Sequence, residues 1–254
     1  MHAFLDHPHP IAFAHRGGAG DWPENTMPAF EGAVSLGYRY VETDVHLTSD
    51  GVLVAFHDDR LDRVTDRVGL IREMTWSEVS AARVDGREPI ARFSELLATW
   101  PDLRVNVDPK HDVSVEPLAA AIRAAGAIDR VCIGAFSDRR IARMRALLGP
   151  ELCTSLGPRG TARLIAATRR LGAPRFAAAA AQVPTTQSGV PLVTSRFVAG
   201  AHRLGLAVHV WTVDDADEMR RLLDLGVDGI MTDRPAVLKD VLVARDQWVD
   251  AGSG

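Results

Sequence analysis

The run Tyr40-Val41-Glu42-Thr43-Asp44-Val45-His46-Leu47-Thr48-Ser49-Asp50-Gly51-Val52-Leu53-Val54-Ala55-Phe56-His57 decides how the rest of the chain is counted. Side chains at i and i+2 of a strand share a face. Glu42 and Asp44 therefore stand side by side, with Val41, Thr43 and Val45 opposite. Ser49-Asp50-Gly51 is a tight-turn sequence. It makes Val52–His57 an antiparallel hairpin partner of the strand before it.

Setting that partner aside leaves eight strand candidates: Ile11–Arg16, Tyr40–Leu47, Arg104–Lys110, Val131–Phe136, Cys153–Leu156, Phe176–Val183, Ala207–Val213 and Gly229–Thr232. Between them lie stretches whose apolar residues recur every three or four positions, as in Met219, Leu222 and Leu223. That spacing is helical. The expected helices are Met27–Leu36, Phe93–Thr99, Val115–Ala125, Asp138–Leu148, Thr161–Leu171, Ser195–Leu204, Ala216–Leu223 and Ala236–Arg245. Alternating strands and helices imply βαβ units and a parallel sheet. Eight units fit a closed (β/α)₈ barrel, an α/β fold, better than an open doubly wound sheet. No G-x-G-x-x-G follows the first strand, which removes the simplest dinucleotide-binding reading. One domain is expected over 11–240, with a short hairpin and loop insertion after the second strand and flexible tails at 1–10 and 246–254.

The chain has 254 residues, 46% of them hydrophobic and 24% charged, the balance of a globular protein with a sizeable core. Its net charge of −4 argues against a nucleic-acid-binding or membrane-adsorbed surface. No signal-like leader and no apolar run of about 18 residues is present. The expectation is a cytoplasmic protein without stable membrane association. Cys132 and Cys153 lie in neighbouring apolar strands and read as free buried thiols.

If the valines face the helices, Glu42 and Asp44 face the barrel interior. Two unpaired buried carboxylates there would cost several kcal/mol or take up protons. A hard divalent cation with oxygen ligands relieves that cost. The strand from Arg104 repeats the pattern, with Asn106, Asp108 and Lys110 on one face. Asp108 offers a third metal carboxylate, or else forms an ion pair with Lys110. Lys110 sits nearer the C-terminal strand ends, where such barrels build their sites. His15-Arg16-Gly17-Gly18 closes the first strand. Arginine suits bidentate contact with a phosphoryl group, and the glycines permit close backbone approach. His57-Asp58 closes the hairpin partner, and a histidine there can serve as acid or base. His2, His7 and His9 read as exposed tail. His46, His111, His202 and His209 are weaker candidates, with His209 placed on the site's floor beside Trp211.

These residues resemble the glycerophosphodiester phosphodiesterase family. The motifs are His15-Arg16-Gly17, Glu24-Asn25-Thr26, Glu42-x-Asp44, His57-Asp58, Asp108-Pro-Lys110, Trp211-Thr-Val and Gly226-Val-Asp-Gly-Ile-Met-Thr-Asp233-Arg-Pro, in family order from Ile11 to Leu238. The resemblance implies a (β/α)₈ barrel with one Ca²⁺ or Mg²⁺ on Glu42, Asp44 and Asp108. It implies His15 and His57 as the acid–base pair, Arg16 and Lys110 on the phosphate, and Trp211 near the glycerol end. Glu24 and Asn25 support the site. Three departures stand out. Asp108 replaces a common Glu, Asp214 replaces a frequent Asn at the mouth, and Leu61–Glu73 is short, so the lobe over the site is expected to be modest. The implied reaction is metal-dependent hydrolysis of a small-molecule glycerophosphodiester to sn-glycerol 3-phosphate and an alcohol by two-histidine acid–base catalysis. His15 is favoured as base and His57 as acid, and the sequence leaves their order open. A phospholipase D-type or phosphatidylinositol-lyase-type barrel acting on lipids is the alternative, as are an inactive phosphodiester-binding module and a sugar-phosphate isomerase or aldolase.

Overall fold

The computed structural model describes residues 2–169, 174–187 and 189–249. Eight parallel strands follow one another around a barrel: β1 (Ile11–His15), β2 (Tyr40–Leu47), β3 (Arg104–Pro109), β4 (Val131–Ile133), β5 (Cys153–Thr154), β6 (Ala180–Pro184), β7 (Ala207–Trp211) and β8 (Gly229–Thr232). The first strand pairs with the last. The seam between β5 and β6 closes through a parallel bridge at Ser155 and Ala180. There the Leu156 N–H donates to the Ala180 carbonyl at 2.8 Å and the Ala179 N–H to the Thr154 carbonyl at 2.9 Å. Leu53–Ala55 lies antiparallel on β2, the hairpin that its turn sequence implies.

A helix of seven residues or more follows each barrel strand: Met27–Ser35, Phe93–Thr99, Val115–Ala124, Asp138–Leu148, Pro158–Arg169, Ser195–Arg203, Ala216–Asp224 and Pro235–Val243. Leu171, expected to end the fifth, lies outside the described residues. Outward valines such as Val41, Val105 and Val107 meet Leu96, Leu118 and their neighbours in the main core. Each fully buried aliphatic there contributes about 1.5–3 kcal/mol. Strand alternation sends Ile11, Phe13, Tyr40, Cys132, Cys153 and Met231 into a second cluster inside the barrel. Cys132 and Cys153 stand opposite each other in register as free buried thiols. No helix among the described residues is long and apolar enough to cross a membrane.

Three expectations change. Residues 1–10 are not a loose tail over their described part. Ala3–Leu5 forms a 3₁₀ turn that buries Phe4. Its ring packs edge-on against Tyr40 at 5.3 Å and near Phe13 at 6.3 Å, and the Tyr40 hydroxyl donates to the Phe4 carbonyl at 2.9 Å. The turn plugs the closed end of the barrel, opposite the cleft, where Phe4 joins the interior cluster of Ile11, Phe13 and Tyr40. At the other terminus Trp248 packs on Tyr38 at 5.2 Å and under the Lys239 ammonium. Residues 250–254 lie outside the described residues. The insertion after β2 is also larger than its Leu61–Glu73 segment suggests. It runs on through a one-turn helix at Trp76–Val79 and a hairpin pairing Arg83–Val84 with Glu88–Pro89. Its own core contains Phe56, Leu61, Ile71, Val79, Val84 and Ile90. Finally, most of the strands are shorter than expected, two of them by three residues or more at one end. β4 stops at Ile133, and Phe136 turns out onto the rim, 67% exposed. β6 begins at Ala180 rather than Phe176.

Candidate active site

Register gathers the site. His15 pairs across to Glu42, Glu42 to Asn106 and Asp44 to Asp108 on adjacent parallel strands. With i, i+2 alternation on each strand, these side chains converge at the C-terminal mouth of the barrel. His15, Arg16, Glu42, Asp44, His57, Asp108 and Lys110 line one side of a cleft of about 620 Å³.

The β1 loop is built around two left-handed residues. Arg16 has φ +51° and Asn25 has φ +58°, conformations that cost about 1–3 kcal/mol at a non-glycine residue and cluster at functional sites. The turn lets the Arg16 N–H donate to Glu42 Oε2 at 3.2 Å while the guanidinium reaches Glu24 Oε1 at 3.1 Å and approaches Asp44 Oδ2 at 3.6 Å. Gly17 follows at φ +81°, where a Cβ would sit 2.8 Å from that of Ala29. The Asn25 N–H donates to the Arg16 carbonyl at 2.9 Å, and Asn25 Oδ1 accepts from the Thr43 hydroxyl at 2.7 Å. Glu24 and Asn25 thus brace the loop.

The three carboxylates are buried with less positive charge than they need. Burial pushes the Glu42 carboxyl up to about 7, and the neighbouring Asp44 charge adds to the push. Burial also raises Asp108 above the usual carboxylate range, against the pull of Lys110. The Lys110 ammonium lies between Asp44 Oδ1, at 2.6 Å, and Asp108 Oδ2, at 3.1 Å. The ion pair that the sequence left open is therefore formed, and Lys110 points at carboxylates. Asp44 Oδ2 and Asp108 Oδ1 remain buried without a hydrogen-bond partner. Such groups are costly unless satisfied. Two orphaned carboxylate oxygens beside a carboxyl with so high a pKa fit a hard divalent cation with oxygen ligands.

Both histidines are oriented alike. His15 Nδ1 meets Asp233 Oδ1 at 2.6 Å, and His57 Nδ1 meets Asp58 Oδ1 at 2.6 Å. In each ring the carboxylate fixes the proton on Nδ1 and leaves Nε2 for the cleft. Burial works against a charged His15, but Glu42 and Asp233 outweigh it and raise its pKa. Asp58 is held at about 2, chiefly by its hydrogen bonds from Arg63. Arg63 also forks onto both oxygens of Glu24, at 2.7 and 2.9 Å, tying the lobe to the β1 loop.

Sequence reasoning omitted Asp233 from the site, although it stands in a quoted motif at the end of β8. Its strand-end carboxylate was the available signal. Asp214, expected to alter the mouth's polarity, instead braces this segment: Oδ1 accepts from the Asp233 N–H at 2.8 Å and from the Thr232 hydroxyl at 2.9 Å. His209 lies below the floor, fully buried, and burial lowers its pKa to about 4. Trp211 lines the cleft, against Phe136 at 5.7 Å.

Residues 15–237 match the model of the glycerophosphoryl diester phosphodiesterase family. The chain is 41% identical over 254 residues to the Mycobacterium tuberculosis (strain ATCC 25618 / H37Rv) protein named "Probable glycerophosphodiester phosphodiesterase 2", covering 96% of this chain and 95% of that one. A crystal structure from Silicibacter pomeroyi DSS-3 has a TM-score of 0.80 at 25% identity, covering 98% of this chain and 100% of that one. The fold is shared as well with an Oleispira antarctica phosphodiesterase solved in complex with the product sn-glycerol-3-phosphate, at a TM-score of 0.77, 23% identity and coverage of 92% and 97%. The chain belongs to the glycerophosphoryl diester phosphodiesterase family and is an enzyme that hydrolyses glycerophosphodiesters on a (β/α)₈ barrel.

Proposed function

We propose that Glu42, Asp44 and Asp108 hold one divalent cation, Ca²⁺ or Mg²⁺, and that His15 and His57 move the protons of the hydrolysis. The orphaned oxygens of Asp44 and Asp108, buried beside Glu42, carry the metal assignment. A bound cation would neutralise the phosphodiester and stabilise charge gathering on its non-bridging oxygens. Arg16, whose Nε is buried without a hydrogen-bond partner, adds a phosphate donor at the same rim. Lys110 supplies positive charge to the carboxylate cluster and, at its edge, to the phosphate. His15 takes the proton from the attacking oxygen. His57, the more exposed of the two rings, protonates the departing alkoxide. Products are sn-glycerol 3-phosphate and an alcohol, formed in the cytoplasm from a small-molecule substrate.

His15→Ala and His57→Ala are each expected to fold normally and lose a factor of roughly 10² or more in kcat, read by coupled detection of released glycerol 3-phosphate. Near-wild-type turnover in either variant overturns its catalytic role, and activity that survives exhaustive chelation overturns the metal.

A second reading, hydrolysis of diesters that carry an acyl chain, draws on the opposite wall of the cleft. Phe136, Leu156, Ile165, Val183, Leu192 and Trp211 line it, and none of the residues on that side is charged. An exposed ring such as Phe136 has little folding role. Phe136→Ala is therefore expected to raise KM for a lysophospholipid several-fold and to leave glycerophosphoethanolamine turnover unchanged. Equal effects on both substrates refute the acyl reading.

A further inference from the structure

The family's chemistry leaves one cluster at the barrel rim unused. His46 lies one step beyond Asp44 on the same face of β2, His111 follows Lys110, and Asp59 opens the lobe two residues after His57. One ring nitrogen from each histidine and one Asp59 oxygen lie within 4.8 Å of one another. His111 Nε2 is 2.8 Å from Asp59 Oδ1, and His46 Nδ1 is 3.9 Å from the same oxygen. We infer that these three side chains form a second cation site, distinct from the carboxylate cluster and selective for a divalent transition metal of the zinc class.

Two observations carry this beyond proximity. Zinc binds nitrogen and oxygen at about 2.0–2.2 Å, so tetrahedral donors lie roughly 3.3–3.5 Å apart. The two distances to Asp59 bracket that spacing, and side-chain rotation alone can adjust them. The second observation concerns the buried His46. Its Nε2 is 3.1 Å from the His57 carbonyl, which can only accept, so Nε2 carries the hydrogen and Nδ1 presents its lone pair towards Asp59. A ligating histidine whose other nitrogen donates to a backbone carbonyl is the usual orientation at metal sites. Asp59 and His111 are both partly open to solvent, which provides entry and room for water ligands.

The donor sets differ in kind. Two imidazoles and one carboxylate favour zinc, cobalt or nickel, whereas the all-oxygen cluster of Glu42, Asp44 and Asp108 favours magnesium or calcium. A metal here joins β2, the loop after β3 and the start of the lobe. Because His46 also holds the His57 carbonyl, it fixes the backbone beneath His57. Its role is positioning, and cation binding itself does not depend on the hydrolytic reading.

The test titrates the full chain with Co²⁺ in excess Mg²⁺, following the visible absorption of histidine-bound cobalt and the bound stoichiometry. One Co²⁺ per chain is expected, and it should persist in the Glu42→Gln/Asp108→Asn double variant. Asp59→Asn and His111→Ala, both at solvent-accessible positions, should each weaken binding about tenfold or more, with melting curves confirming that the chain is folded. Co²⁺ binding that survives both substitutions, is lost in the double variant, or is absent throughout overturns the second site.

Discussion

Replacing Asp233 by Asn tests whether a residue outside the expected site orients His15, the proposed base. The exchange is nearly isosteric, and the backbone there is held by other groups. The Asp233 N–H donates to Asp214, and its carbonyl accepts from the Gly20 N–H at 2.8 Å. What changes is the 2.6 Å contact with His15 Nδ1. A hydrogen bond to a charged group contributes about 1.5–3 kcal/mol, and about 1.4 kcal/mol is a tenfold change in rate. If that contact is fully expressed in the transition state, kcat falls roughly 10- to 150-fold. The Asp233 charge also helps to raise the His15 pKa against the effect of burial. Its removal lowers that pKa, so the limb of the pH–rate profile governed by His15 moves to lower pH. The assay is glycerol 3-phosphate release across a pH series, with circular dichroism confirming the fold. A kcat within twofold of wild type together with an unmoved limb would refute the assignment.

Two further perturbations probe the scaffold. Phe4→Ala removes the plug at the closed end of the barrel. By analogy with other buried Phe→Ala changes it costs roughly 3–5 kcal/mol, seen as a lowered Tm, and an unchanged Tm contradicts the plug. His209 is buried neutral, with a pKa lowered to about 4 by burial. The unfolded ring takes up a proton near pH 6.5 while the folded one resists until about 4. Stability is therefore fully present above about 6.5 and falls by about 3 kcal/mol as pH drops to about 4. Urea melts at the two ends of that window should show a smaller loss for His209→Gln than for wild type, and parallel losses exclude the mechanism.

The sequence alone determined the eight strand–helix units and the side of β2 and β3 on which the carboxylates stand, because both follow from local periods of two and 3.6 residues. It also set the hairpin, since Ser49-Asp50-Gly51 has turn chemistry that does not depend on the rest of the chain. The motifs named the histidines and Arg16, but they did not say what those side chains touch. Phe4 reads as tail because the three apolar residues Ala3–Leu5 are too few to show a period, and only the barrel end opposite the cleft gives the ring somewhere to go. Tertiary structure alone decided that Lys110 pairs with Asp44 and Asp108, and that Asp233, 218 residues from His15 in the chain, orients its ring. It likewise brought His46, Asp59 and His111 together. Such contacts depend on which strands become neighbours and in what register. Register is fixed by the closure of the whole barrel, and no local window of sequence contains it.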